Sequence, residues 1–371
     1  MSKTLQDYAT LINDTIQSNE INHYITTDNM CQNLGGIDTF KNINIPQGKV
    51  RSFQKDDVLL SNIRLYFRKV YRAKQKGGCS SDVLVFRAKH IDSTTLFAIL
   101  SSQIFTDYAC SGSQGSKMPR GNKTHMMDFK IPTINFTIAK IFNSIQNKIE
   151  NNHKINELLH KILELLYEQY FVRFDFLDEN NKPYQTSGGK MKFSKELNRL
   201  IPNNFEVKTL GELTQLKVGN KNANHSSNQG KYPFFTCSNN PLRCETYQFE
   251  GKHIIISGNG NFYVTHYDGK FDAYQRTYVV NPNNLNHYAL IYLFVKSYTN
   301  YLKLQSRGSI IKFITKSDIE NIKIVLPNLK TYAKWNNVLK MIENNMQSTQ
   351  TLTALRDFLL PLLLTQQVKP Q

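Results

Sequence analysis

Between Ile138 and Phe171 the chain runs without proline or glycine, and its apolar positions recur at steps of three and four. They fall at Ile138, Phe142, Ile145 and Ile149, then resume at Ile155, Leu158/Leu159, Ile162, Leu165/Leu166 and Tyr170. That spacing places them on one face of a helix, and at about 1.5 Å per residue it predicts a rod of ~51 Å. The pattern returns in Thr331–Val368, with Tyr332, Trp335, Leu339, Ile342 and Met346 followed by Leu352, Leu355, Leu359 and Leu362. Two long amphipathic helices with heptad-like spacing are natural partners, and an antiparallel coiled coil is expected. Asn151-Asn152 and Asn344-Asn345 interrupt the apolar seam and are expected to fix its register. Pro361 predicts that the second helix kinks or stops near Asp357–Leu360.

The recurrence extends beyond the helices. At a constant offset of 193 residues, Tyr108 meets Tyr301, and Ser113, Gly115 and Ser116 meet Ser306, Gly308 and Ser309. Lys130-Ile131 meets Lys323-Ile324, Phe142 meets Trp335, and Ile149–Asn152 meets Ile342–Asn345 without a mismatch. Upstream the offset drifts: Val58–Ser61 answers Ile254–Ser257, and Thr4-Leu5 answers Thr209-Leu210. This ordered run of matches indicates duplication. Each half opens with a short apolar element (LQDYATLI; LGELTQLKV) and passes through strand candidates, VLLSNI and SDVLVFRA in one, HIIISG and RTYVVN in the other. A helical stretch follows (TTLFAILSSQIFTDY; HYALIYLFVKSYTNYLKL), then a Gly/Ser loop, a strand (FKIP; IKIVLP), and Pro132 or Pro327 before the long helix. The reading is an α+β chain of two pseudo-symmetric half-repeats. A β-rich domain spans 1–137, a helix 138–171, a connector 172–208, a second β-rich domain 209–330 and a second helix 331–371.

Charge adds a partner class. The 371 residues include 46 basic and 29 acidic ones, a net +17, which points to a polyanion such as nucleic acid. Met1–Thr137 holds 17 basic and 11 acidic residues, Thr209–Lys330 holds 14 and 7, and Ile138–Phe171 is balanced at 4 and 4. The excess therefore lies in the β-rich domains, the reverse of a basic helix on a membrane. Five cysteines without a CxxC pair predict neither a zinc ribbon nor a disulfide framework, and the nine histidines form no ligand motif, so no metal is expected. No apolar run reaches 18 residues and no signal peptide is evident, so a reduced, cytoplasmic protein is expected.

Catalytic motifs are missing. There is no GxxxxGK[ST], HExxH, GxSxG or GxGxxG. Gly258-Asn259-Gly260 reads as a tight turn because NFYVTHY follows it instead of a helix with a third glycine. A nuclease built from scattered acids and a lysine stays open. Nucleic-acid binding has more support. Arg64–Lys89 carries eight basic residues against Asp82, with Tyr66, Phe67 and Tyr71 among them, a mixture suited to phosphates and base faces. The DNA-binding candidates are Arg64, Arg68, Lys69, Arg72, Lys74 and Lys76 here. In the second half they are Lys217, Asn220, Lys221, Lys270 and Arg276, with Arg120 and Arg307 in the paired Gly/Ser loops. Arg and Lys suit guanine edges and Asn suits adenine.

Several segments carry a resemblance: Asp57–Asn62 (DVLLSN), Gly77–Phe86, Tyr170–Gly189 with Lys190-Met191, Phe205–Leu213 (FEVKTLGEL) and Leu355–Leu364 (LRDFLLPLLL). With the tandem halves, the chain resembles the specificity (S) subunit of type I restriction-modification enzymes. The resemblance implies a non-catalytic reader of double-stranded DNA whose two target recognition domains each read half of a bipartite, asymmetric site. It implies helices that act as an antiparallel spacer and dock two methyltransferase (modification) subunits, with restriction/translocase subunits joining them. S-adenosylmethionine, ATP and Mg²⁺ would belong to those partners, with no cofactor in this chain. A rod of ~51 Å would cap the separation of half-sites at about 15 base pairs. The alternatives are a specificity subunit of another restriction class, whose partner fuses methylation and cleavage, or a DNA-modifying enzyme acting alone.

Overall fold

The computed structural model describes residues 3–39, 41–131, 133–227, 229–327 and 331–364. The expected punctuation at Pro132 and the expected continuation of the second helix to Val368 lie outside these residues. The chain divides into two compact units, one formed by Met1–Lys154 with Met346–Gln371 and the other by Ile155–Asn345.

In the first unit, the alternating and wholly apolar runs of the sequence form a four-stranded antiparallel sheet. Its order is Ala9–Ile12, Val83–Ala88, Val58–Ser61, Val70–Arg72, with Leu59 opposite Val85 and Tyr71. The central strands are buried on both faces. Val58, Leu60 and Phe86 belong to one core, and Leu59, Val83 and Val85 to another. Helices Ser93–Ser101 and Gln103–Ser111 cover the first face. The expected single helical stretch is broken because the Ser102 hydroxyl caps the second helix by accepting from the Phe105 N–H. A second sheet pairs Thr15–Gln17, Lys49–Phe53, Gly77–Cys79 and Tyr24–Ile25, the last pair parallel.

The second unit repeats this plan. Its main sheet runs Thr214–Val218, Thr277–Pro282, Lys252–Ser257, Val264–Asp268, and its small sheet runs Leu242–Cys244, Tyr232–Phe235, Asp272–Ala273. Correspondence extends to single pairs. Thr4 lies opposite Lys130, and Thr209 opposite Lys323; both threonines open capping boxes, with Asp7 and with Glu212. The Gly/Ser loops close with bridges Gln114 to Arg120 and Arg307 to Phe313, and Gly115 and Gly308 turn them at φ +98° and +99°, a conformation that favours glycine.

The first long helix runs Phe136–Tyr167 and ends in a wider turn, Glu168–Val172. The second starts with a tight turn, Thr331–Lys334, runs Trp335–Leu359, and tightens again over Leu360–Leu364. It stops where Pro361 requires. In the first unit Gln146 meets Arg356 and Asn152 Nδ2 donates to Thr349 Oγ1. In the second, Asn345 Nδ2 donates to Asn156 Oδ1 while Tyr170 packs edge-on against Trp335. Within each unit, numbers rise on one helix as they fall on the other, so the pairing is antiparallel. Asn152 and Asn345 do sit on the seam, and each donates across it to a residue of the facing helix, Thr349 and Asn156.

The expected single apolar stripe on the first helix proves to be two. Ile145, Ile149, Leu163 and Tyr167 are buried, whereas Ile155, Leu158, Ile162 and Leu165 are 39%, 46%, 47% and 51% exposed. At about 100° per residue, Leu163 returns close to the azimuth of Ile149, while Leu158 falls about half a turn away. Counting steps of three and four across the polar interruption had merged two opposite faces. The connector is ordered in its turn. Phe174, Phe176 and Phe205 bury themselves with Phe171, and Met191–Ser194 pairs with Arg199–Pro202 as a hairpin.

Candidate nucleic-acid interface

The basic cluster of the first unit separates into two groups once its partners are known. Arg68, in the left-handed region at φ 49°, sends Nη2 to the Ser101 carbonyl at 2.8 Å. Lys69 Nζ donates to the Thr27 carbonyl at 2.5 Å. Burial lowers the proton affinity of both groups. Arg72 bonds Asp56 at 2.9 Å and approaches the Ser93 hydroxyl at 3.3 Å, with its side chain 15% exposed. Lys74 reaches Asn147 Oδ1 at 2.6 Å and Glu150 at 3.5 Å on the long helix. These four cations are used to hold strands and helices together. Arg64 is intermediate: its Nη2 donates to the Lys117 carbonyl at 3.1 Å and its guanidinium lies 5.9 Å from the Phe67 ring.

The second group is open. Lys76 is exposed in the turn before Gly77–Cys79. Arg120 is 62% exposed and pairs with Asp82 at 3.0 Å. In the second unit Lys217 is exposed on the edge strand, Asn220 is exposed just past that strand, and Lys221 pairs in parallel with Tyr274. Arg276 is exposed while its carbonyl accepts the Gly258 N–H at 2.7 Å. Lys270 lies 4.6 Å over the Tyr247 ring and 3.8 Å from Glu250; the Tyr247 hydroxyl, then Glu250, raise its proton affinity. Arg307 is 58% exposed and pairs with Asp318 at 3.1 Å. The offset of 193 pairs Gln114 with Arg307 and Arg120 with Phe313. The two arginines therefore stand on opposite strands of equivalent loops, a detail that the shared Gly/Ser composition does not reveal.

Sequence reasoning passed over two other features. Asp57, 2% exposed, accepts two bonds from Arg87, Nε and Nη2, each at 2.8 Å, which fixes two strands of the sheet beneath the basic cluster. Arg356, 2% exposed, donates to the Asn33 carbonyl at 3.2 Å and to Gln146 Oε1 at 3.3 Å and pairs with Asp357 at 2.9 Å. Its one signal was a charged residue interrupting the apolar run before Pro361. Among the described residues, no helix is long and apolar enough to cross a membrane.

Residues 202–355 match the family described as the type I restriction modification DNA specificity domain. The chain is 37% identical over 128 residues to the EcoDI type I restriction enzyme specificity subunit of Escherichia coli, a match covering 34% of this chain and 29% of that subunit. It is 24% identical over 300 residues to the MjaIX specificity subunit of Methanocaldococcus jannaschii, covering 72% of this chain and 67% of that one. Among solved structures, it shares the fold of the type I restriction-modification S subunit from M. genitalium. There the TM-score is 0.63 at 16% identity, over 99% of this chain and 96% of that one.

Proposed function

We propose, on the premise that residues 202–355 form a type I restriction-modification DNA specificity domain, that this chain is the DNA-reading subunit of a type I restriction-modification complex. The observation that carries this reading is the repetition of that domain's architecture in the first unit, down to the Thr4–Lys130 and Thr209–Lys323 pairs. Two readers on one chain suit a bipartite site, and because their sequences differ, the two half-sites differ. Lysines and arginines would neutralise phosphates and give a salt-dependent affinity, while a smaller set of side chains at base edges would select sequence. Lys76, Arg120, Lys217, Asn220, Lys221, Arg276 and Arg307 are our candidates for that face. Arg68, Lys69, Arg72 and Lys74 would act by holding it in shape.

The exposed stripe Ile155, Leu158, Ile162 and Leu165 supports a second role. Apolar side chains at helical spacing on a water-facing surface fit a partner helix, and the partners we propose are the methyltransferase subunits, with restriction/translocase subunits completing the assembly. Bond-making would then lie with those subunits, which bring S-adenosylmethionine, ATP and Mg²⁺. The purified chain is the test. Alone it should bind duplex DNA with an affinity that falls steeply with salt, and it should neither methylate nor cleave. With methyltransferase subunits and methyl donor it should direct methylation to one two-part sequence. Methyl transfer or cleavage by the chain alone would overturn the reading.

A further inference from the structure

The small sheet of the second unit gathers three metal-ligating side chains that no sequence motif connects. His225, Cys244 and Asp272 each offer a ligand atom, and the three atoms lie within 4.8 Å of one another. His225 sits in the tight turn Ala223–His225, Cys244 ends the strand Leu242–Cys244, and Asp272 begins the strand Asp272–Ala273. Intervals of 19 and 28 residues separate them, so the fold alone brings them together.

Two observations set this cluster apart from an ordinary hydrogen-bonded corner. Asp272 is fully buried, opposite Phe234 in the parallel strand pair, and it has no lysine or arginine partner among the described residues. Its Oδ2 lies 3.1 Å from His225 Nε2 and accepts from the Thr246 hydroxyl at 2.6 Å, while Oδ1, also buried, has no hydrogen-bond partner. A buried carboxylate with an idle oxygen is costly unless a cation compensates it. The second observation is Cys244, itself fully buried, whose Sγ lies 3.2 Å from the Thr246 carbonyl and 3.6 Å from that of Tyr232. Its sulfur therefore faces the same corner.

We propose that His225, Cys244 and Asp272 form a binding site for a divalent transition metal of the zinc type. One imidazole nitrogen, one thiolate and one carboxylate are a donor set that Zn²⁺ accepts, and three protein ligands leave the fourth tetrahedral position to water. Binding releases the Cys244 proton to solvent and leaves the sulfur as thiolate. The Thr246 hydroxyl donates to Asp272 Oδ2 at 2.6 Å and so orients that carboxylate, while its 3.0 Å contact with His225 Nε2 gives way when that nitrogen takes the metal. A bound metal would pin the turn Ala223–His225 to the small sheet. Among its described residues the first unit has no equivalent: its parallel pair sets Gly78 opposite Tyr24 where the second unit sets Asp272 opposite Phe234. Metal binding here does not depend on DNA reading.

Cobalt titration of the full chain, stripped with chelator under reducing conditions, tests it. At about one equivalent, Co²⁺ should give a thiolate-to-metal charge-transfer band together with visible d–d bands of tetrahedral intensity. Cys244→Ser should abolish the charge-transfer band, and His225→Gln, at a 25% exposed side chain that the fold tolerates, should lower affinity at least tenfold. Thr246→Val should lower affinity by ~10–100-fold while keeping the band, and Cys237→Ser should leave everything unchanged. No band at one equivalent, or a band that survives Cys244→Ser, overturns the proposal.

Discussion

The helix pair is built differently in the two units, at positions that the offset of 193 makes equivalent. In the first unit Gln146 and Arg356 meet across the seam, both buried, and tie it to the carbonyls of Leu34 and Asn33. The offset carries Gln146 to Leu339 and Arg356 to Leu163, and in the second unit both leucines are fully buried in one apolar cluster with Tyr167, Trp335 and Ile342. The backbone plan is the same, yet at these matched positions one seam is closed by hydrogen bonds and the other by dispersion and burial. A polar couple has directions and so selects one register, whereas leucines tolerate sliding. At this level of the helix pair the first unit therefore specifies the register, and the second contributes apolar burial.

That contrast can be broken most forcefully at Arg356. Replacing it alone with Leu leaves the Gln146 and Asn33 oxygens buried without donors, and unfolding of the first unit should become easier by about 3 kcal/mol. Gln146→Leu with Arg356→Leu installs the second unit's solution at the seam but still takes the donors from the Asn33 and Leu34 carbonyls, so it should recover only part of the single variant's loss. Denaturant unfolding of the parent, Arg356→Leu, Gln146→Leu and the double variant, with hydrogen exchange assigning the loss to the first unit, gives the coupling. Additive effects would mean that the couple is not a unit and that the equivalence with Leu339 and Leu163 teaches nothing.

Acid sharpens the comparison from the other side. Burial, then Lys296 and His266, lowers the His160 pKa to about 4, with Glu164 opposing. Burial likewise lowers His253 and His287, all in the second unit, against His23 in the first. These imidazoles stay neutral in the fold while the unfolded chain takes up protons near its ordinary value of about 6.5. The unfolded state thus binds more protons as pH falls, and stability is lost between about 6.5 and about 4. At still lower pH Glu343 adds to the loss. Burial raises its pKa, but His266 and Lys252 outweigh that and hold it below the usual value. His160 should account for on the order of 1–2 kcal/mol. Hydrogen exchange at pH 7 and pH 5 should show the second unit loosening first, and His160→Gln should flatten the difference. Equal loosening of both units would sink the assignment.

Periodicity and repetition reach far into this fold. The strands VLLS and KHIIIS, the equivalence of Thr4 with Thr209, and the end of the second helix before Pro361 were all legible, because each rests on local rules: short apolar runs, a repeated pattern, a missing N–H. What stayed hidden depends on contacts distant in sequence. Leu158 and Ile162 looked like seam residues because a one-dimensional count of three and four does not track azimuth across residues 151–154. Arg68 and Arg72 became DNA-binding candidates because composition records charge; which carbonyl or carboxylate each one meets is set by the fold. The corner of His225, Cys244 and Asp272 has no spacing rule at all.

The smallest expected stability effects, and the finest probe of the proposed DNA-binding faces, lie at Arg120 and Arg307. Each is more than half exposed and pairs with one acid, Asp82 or Asp318, so removing either should change stability by no more than ~0.5 kcal/mol. The equivalent loops present them from opposite strands, which makes their contributions independent. Arg120→Ala and Arg307→Ala should each reduce the slope of log affinity against log salt by about 1, and the double variant by about 2. Arg72→Ala provides the contrast: with Asp56 and Ser93 left behind, it should lower the melting temperature of the first unit and leave the slope of the folded protein unchanged. Fluorescence anisotropy across a salt series, with melting curves on the same samples, separates the outcomes. If Arg72→Ala lowers the slope and Arg120→Ala does not, the division between cations that hold the fold and cations that meet DNA is wrong.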